Sequence, residues 1–144
     1  MQKHGEEYKR GLAILEELHG GQAGEAMVRE MADICPDFCT MTVEWALGGI
    51  MARPGLDLAT RELLLVASCA TRGNAEPQLR AHMESARKLG ISREQMVEAL
   101  LTLLFYAGGP AVRNALLIVR EVYALPHSTD PSAGSHESHG FLSG

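Results

Sequence analysis

Apolar residues recur along this chain at three- and four-residue intervals, and Gly or Pro interrupts them at nearly regular points. No stretch of convincing length alternates apolar with polar residues as a half-buried strand does. Together these two facts restrict the fold to packed helices. Tyr8, Leu12, Leu15 and Leu18 mark a first helix that stops at Gly20-Gly21. Met27, Met31 and Ile34 mark a short second one, from about Glu25 to Ile34. Pro36 can open a third, because a proline in the first helical turn loses no internal hydrogen bond. That helix carries Phe38, Met41, Trp45 and Ile50 and ends before Arg53-Pro54-Gly55.

Asp57 is a good N-cap for a fourth helix, whose run Leu63 to Ala67 is apolar all round and belongs in the middle of a bundle. A fifth begins near Glu76-Pro77, with Glu76 expected to cap it, because a residue before proline is pushed out of helical geometry. It ends at Lys88-Leu89-Gly90, with basic residues and a glycine at its C-terminal end. Ser92 and Gln95 form a capping box for a sixth, which runs through Met96, Leu100, Leu103 and Leu104. Gly108-Gly109-Pro110 breaks the chain, and a last helix reaches about Ala124. The expected fold class is an all-α bundle of six to seven helices.

Composition sets further bounds. A chain of 144 residues suits one domain. It is 46% hydrophobic but only 5% aromatic, so the core must be aliphatic. A net charge of -5 without a basic stripe argues against a nucleic-acid partner. No apolar run reaches the roughly 18 to 20 residues of a membrane span, and the first residues do not read as a signal peptide. Three cysteines, an odd number without a secretory signal, point to a reduced, cytoplasmic protein. From Pro126 onward Ser, Gly, His and Pro dominate, so residues 126–144 are expected to be a disordered tail and 1–125 the helical domain. The spacing of His127, His136 and His139 fits no structural metal site.

His82 is the first candidate for chemistry. It lies one turn after Gln78 on the same helix face, with Leu79, Met83 and Ala86 forming an apolar stripe around it. An imidazole there is either a satisfied core residue or a general acid/base. Glu62 sits early in the fourth helix, where an acid suits the positive helix end. It also puts a carboxylate at the mouth of an apolar helix, where burial would fit it for proton transfer. Glu44, beside Trp45, lies on a solvated face or lines a pocket. Arg53 and Arg80 could hold an anionic substrate or form salt bridges. Tyr106 could present its hydroxyl to a cavity or simply pack. Cys35 and Cys39 do not make a Cys-x-x-Cys motif, and Cys69 reads as a small core residue. No phosphate loop, metal-ligand cluster or dinucleotide fingerprint occurs. The expected chemistry is therefore cofactor-independent, with no metal.

Five segments in order, Arg53 to Asp57, Thr60 to Glu62, Gln78 to His82, Gly90 to Glu94 and Tyr106 to Ala111, resemble the carboxymuconolactone decarboxylase family of the alkylhydroperoxidase-like superfamily. The resemblance spans Tyr8 to Tyr123. It implies an alkylhydroperoxidase-like helical bundle that forms homo-oligomers, trimers or hexamers, with a pocket among the central helices near a subunit contact. It also implies cofactor-free decarboxylation of a lactone acid, a small-molecule substrate. The redox branch of that superfamily has a Cys-x-x-Cys pair a turn before the equivalent His. Ala75 and Gln78 stand there in this chain, so a thiol peroxidase loses its nucleophiles.

The decarboxylase branch usually carries an acid and an aromatic where this chain has Gly49 and Met51, and its Pro-Glu order is reversed here as Glu76-Pro77. A less polar or larger substrate is therefore expected. His82 is expected to transfer the proton, with Glu62 orienting it or sharing the proton, and Arg53 or Arg80 to neutralise a substrate carboxylate. Trp45, Glu44, Gln78 and Tyr106 complete the candidate substrate-binding set. The same groups could run an isomerisation or cyclisation, and a diverged, non-catalytic ligand-binding homologue is the alternative from another class.

Overall fold

The computed structural model describes residues 5–124, and Ala23 by its backbone alone. The tail from 126 to 144, with its three histidines, lies outside the described residues. Seven α-helices build the fold, and no strand occurs among the described residues: α1 (Glu6–His19), α2 (Ala23–Met31), α3 (Pro36–Met41), α4 (Leu58–Arg72), α5 (Glu76–Lys88), α6 (Arg93–Thr102) and α7 (Gly109–Val122). A π-helical segment (Thr42–Met51) continues α3, and a 3-10 turn (Leu103–Phe105) ends α6.

The main core joins α4 to α7. Val66 and Ala70 of α4 meet Leu79, Met83 and Ala86 of α5, Met96 and Leu100 of α6, and Ala115, Ile118, Val119 and Val122 of α7. Every one is aliphatic or Met, as the shortage of aromatics requires. Three- and four-residue steps along each helix turn these positions onto one face. Fully burying side chains such as Met83, Met96 and Leu100 contributes about 1.5–3 kcal/mol each. The start signals read from the sequence hold at two places. Asp57 accepts a hydrogen bond from the Thr60 backbone at 2.8 Å. Ser92 and Gln95 bond each other's backbone N–H at 3.1 and 2.8 Å.

Residues 6–51 form a second layer, in which α1 packs lengthwise on the π-helical segment. Two glycines let the backbones touch. A Cβ at Gly11 would fall on the Val43 carbonyl oxygen, and one at Gly48 on the Glu7 carbonyl oxygen. The π geometry explains how Val43 and Gly48 share this face. In an α-helix five residues turn the chain about 140° past one full turn. Hydrogen bonding to the fifth residue widens the turn and brings both inward.

This layer departs most from the sequence reading. The third helix is not one α-helix but six α residues followed by ten π residues. Its inward residues are Cys39, Val43, Gly48 and Met51, while Phe38, Met41, Trp45 and Ile50 are exposed. α2 stops at Met31, leaving Ile34 outside it and exposed. Four smaller corrections concern α4 to α7. Leu64 is 59% exposed, so α4 has an open face and is not buried all round. Ala75, not Glu76, is the N-cap of α5; Glu76 and Pro77 fill its first two helical positions, where a proline needs no N–H partner. The 3-10 turn ends the sixth helix early and leaves Leu104 exposed, and α7 closes at Val122.

Candidate active site

α4 and α5 run side by side, and between them stands the one buried acid among the described residues. Glu62 is fully buried although its neighbours along the helix are not. It lies beyond the first turn of α4, which holds no acid, so attraction to the helix end does not explain it. Its Oε2 is 2.8 Å from Nδ1 of His82. A carboxylate can only accept, so Nδ1–H of His82 donates and Nε2 is left for other work. Oε1 of Glu62 has no partner among the described residues. The His82 side chain keeps 25% of its surface exposed, which makes it the way into the buried carboxylate. The stripe of Leu79, Met83 and Ala86 is buried around it, as its spacing predicts.

Two further residues complete the arrangement, and neither was singled out from the sequence. His19, the last residue of α1, sets its ring edge-to-face with His82, the centroids 6.5 Å apart at 61°. Its Nδ1 is 3.3 Å from Oγ of Ser85, which is fully buried one turn after His82. Oγ also lies 3.0 Å from the Ala81 carbonyl and 3.2 Å from that of Leu18. The serine has one proton and carbonyls only accept, so Oγ–H can serve one carbonyl at a time, and while it does so His19 Nδ1–H donates to Oγ. Loss of water around the ring pushes the His19 imidazole below its ordinary range; Glu62 pulls it back up, and His82 pushes it down again. The signal in the sequence was faint: a serine within the apolar stripe of α5, and a histidine before Gly20-Gly21 that looks like an ordinary basic helix end.

The other candidates are not bonded to this cluster. Arg80 makes a 2.6 Å salt bridge with Glu121 of α7 and a 4.0 Å one with Glu76. Arg53 is exposed in the loop before α4, beside a shallow groove that also includes Arg10, Met51, Leu56 and Leu58. Arg61 fastens that loop by donating to the Arg53 and Leu56 carbonyls, both at 3.0 Å. Trp45 is 72% exposed and Tyr106 98% exposed; Gln78 is exposed and Glu44 half-buried. No hydrogen bond or ion pair joins Arg53, Glu44, Gln78 or Tyr106 to Glu62 or His82 among the described residues.

A cleft of about 330 Å³ between α4, α5 and α7 is lined by Cys69, Leu79, Asn114, Ile118 and Glu121 but by neither Glu62 nor His82. Burial raises the Cys69 thiol above its ordinary range, away from the reactive thiolate. Cys39 is buried, its thiol 3.1 Å from the Met27 carbonyl. Among the described residues no group of three or more His, Cys, Asp or Glu could hold a metal ion, and no helix is long and apolar enough to cross a membrane.

A buried carboxylate on an imidazole, with a second imidazole alongside, can bind, hold and release protons. Known proteins resemble this chain along most of its length. The chain is 30% identical over 116 residues to 4-carboxymuconolactone decarboxylase of Acinetobacter baylyi, covering 81% of this chain and 86% of that protein. It is 25% identical over 114 residues to nitrosuccinic acid decarboxylase npaB of Metarhizium robertsii, 79% of each. It is also 33% identical over 98 residues to an uncharacterized 15.0 kDa protein of Paracoccus denitrificans, covering 67% and 73%. Residues 37–121 match the carboxymuconolactone decarboxylase family, and the resemblance read from the motifs is thereby confirmed. With Glu62 and His82 both inside the matched span, this chain belongs to the carboxymuconolactone decarboxylase family.

Proposed function

We propose that this protein is a cofactor-independent decarboxylase that acts on a carboxylated lactone or a related carbonyl acid, with His82 as the proton donor. The Glu62–His82 pair carries the reading: a fully buried carboxylate holds one ring nitrogen at 2.8 Å and leaves the other free at a partly exposed mouth. Losing CO2 leaves an electron pair that must pass into a neighbouring electron-withdrawing group, and the carbon then needs a proton. An imidazolium beside a carboxylate supplies that proton without metal or flavin. Two relatives whose names specify loss of a carboxyl group from different acids support decarboxylation over isomerisation or cyclisation. Arg53 is the candidate to receive the substrate carboxylate, since it makes no ion pair among the described residues, whereas Arg80 is already engaged by Glu121.

The protein is further proposed to work as a homo-oligomer, trimer or hexamer. Phe38, Met41, Trp45 and Ile50 on the third-helix region, with Phe105 and Tyr106 after α6, leave an unusual amount of aromatic and aliphatic surface open on one chain. The direct test is CO2 release from 4-carboxymuconolactone by the purified protein after exhaustive dialysis against a chelator. Turnover that His82→Ala abolishes in a folded, assembled protein is the expected result. Turnover undiminished in that variant would remove His82 from the chemistry, and turnover lost on dialysis but restored by a metal would end the cofactor-independent reading.

A further inference from the structure

Decarboxylation consumes one proton in each turnover, and the residue that gives it must be reloaded. His82 is poorly placed to do this from bulk water. Its Nδ1 is bound to Glu62, three quarters of its side chain is covered, and a substrate at its mouth would close the rest. His19 has what His82 lacks. It is exposed at the end of α1, its ring meets that of His82 edge-to-face at 6.5 Å, and Ser85 holds its Nδ1 so that Nε2 is the nitrogen left to solvent.

We propose that His19 is the proton-relay residue of the site, taking a proton from solvent and passing it to His82 after each turnover. This rests on the acid/base reading of His82 given above. The balance is simple. The bond from carbon to the carboxylate breaks, CO2 leaves, and the electron pair moves into the adjacent electron-withdrawing group. Protonated His82 gives its Nε2 proton to the carbon and becomes neutral. His19 takes one proton from solvent water and delivers it through a bridging water to Nε2 of His82, returning to its neutral form. The net reaction is carboxylate plus one solvent proton giving product plus CO2.

The direction of transfer follows from the surroundings. A proton on His82 has the Glu62 carboxylate 2.8 Å away. A proton on His19 is opposed by loss of water around the ring, by His82 and by Lys88, and favoured by Glu62 and Glu84. His19 is thereby made ready to release a proton beside the His82 ring, and adjacent titratable groups can divide a proton-transfer task between them.

His19→Gln keeps an amide able to bond Ser85 but cannot carry a proton. With 4-carboxymuconolactone the first turnover should stay near the wild-type rate, while steady-state kcat falls at least tenfold, giving a burst of one product per site. Added imidazole, a small proton carrier, should restore kcat in this variant and leave the wild type unchanged. A merely structural role for His19 would slow the first turnover too and show no rescue. That result, or an unchanged kcat, would overturn the proposal. A second arm needs no substrate, so it separates this proposal from the lactone reading. Imidazole NMR titration of His19 should move upward in His82→Gln, which removes a like charge, and downward in Glu62→Gln. If neither substitution moves it, the rings are uncoupled and the relay is excluded, whether or not the lactone is turned over.

Discussion

Replacing His82 with alanine takes away the one hydrogen bond of a carboxylate that is wholly buried and whose other oxygen is already unpartnered. Breaking a buried charged pair by removing one partner costs about 3–5 kcal/mol. Here the vacated space opens at a side chain that was 25% exposed, so water can enter and return part of that loss. The expected destabilisation is about 2–3 kcal/mol, toward the range for an unsatisfied buried group. Glu62→Gln removes the charge but leaves an amide that can still meet the imidazole, and should cost about 1 kcal/mol. Once the residue at 62 is neutral, loss of His82 matters less, so the double variant should be less destabilised than the two single losses added together. Urea unfolding of all four proteins at one fixed protein concentration measures this, since assembly would make stability concentration-dependent. A His82→Ala protein within about 0.5 kcal/mol of wild type, or strictly additive losses, would refute the account of the pair as one electrostatic unit.

Gly48→Ala should destabilise by about 1–3 kcal/mol or more, because the added methyl meets the Glu7 backbone and not a movable side chain; a neutral thermal shift would contradict the contact. Tyr123→Phe should cost about 1 kcal/mol through loss of the 2.9 Å hydrogen bond to the Ile91 carbonyl. The same phenol is pushed up to about 12, chiefly by burial, so it favours the folded state below its ordinary value of 10.0, and that contribution is lost as alkali approaches 12. His19 works at the other end of the scale. Its imidazole is lowered from 6.5 in the folded chain, so below that value the unfolded chain binds more protons and stability falls with falling pH. The fall should be shallower in His19→Gln, and identical slopes of urea midpoint against pH would remove His19 as a contributor. Trp45→Asp should lower the mass measured by light scattering if that exposed indole packs against another copy, and an unchanged mass would separate Trp45 from any assembly.

The bundle from α4 to α7 was readable because its signals are local. Asp57, Ser92 with Gln95, and Gly90 each decide a helix end within a few residues of themselves, and an aliphatic period of three and four decides the buried face. The region from Pro36 to Met51 was misread because its geometry is set from outside. Only when α1 lies across it do Gly11 and Gly48 make sense, and only then does a π turn bring Val43 and Gly48 to one side. Glu62 and His82, twenty residues apart, could each be picked out as polar residues on apolar helices. Their contact could be expected only through the family resemblance. His19 is sixty-three positions from His82 and reads as an ordinary helix end, so no local pattern could have joined it to the pair.

The close packing of α1 along the π-helical segment also gives the site a handle that lies outside it. Gly11 and His19 are on one rigid rod, eight residues or about 12 Å apart. Whatever lifts the rod at the glycine contact slides the imidazole at its tip, while Glu62 and His82 stay fixed by the other helices. Enlarging Gly11 or Gly48 by single methyl groups is then a way to tune the gap between two imidazoles without altering any residue a substrate touches. Natural drift at those two glycines would then show in the spacing of the two imidazoles as well as in the stability of the layer.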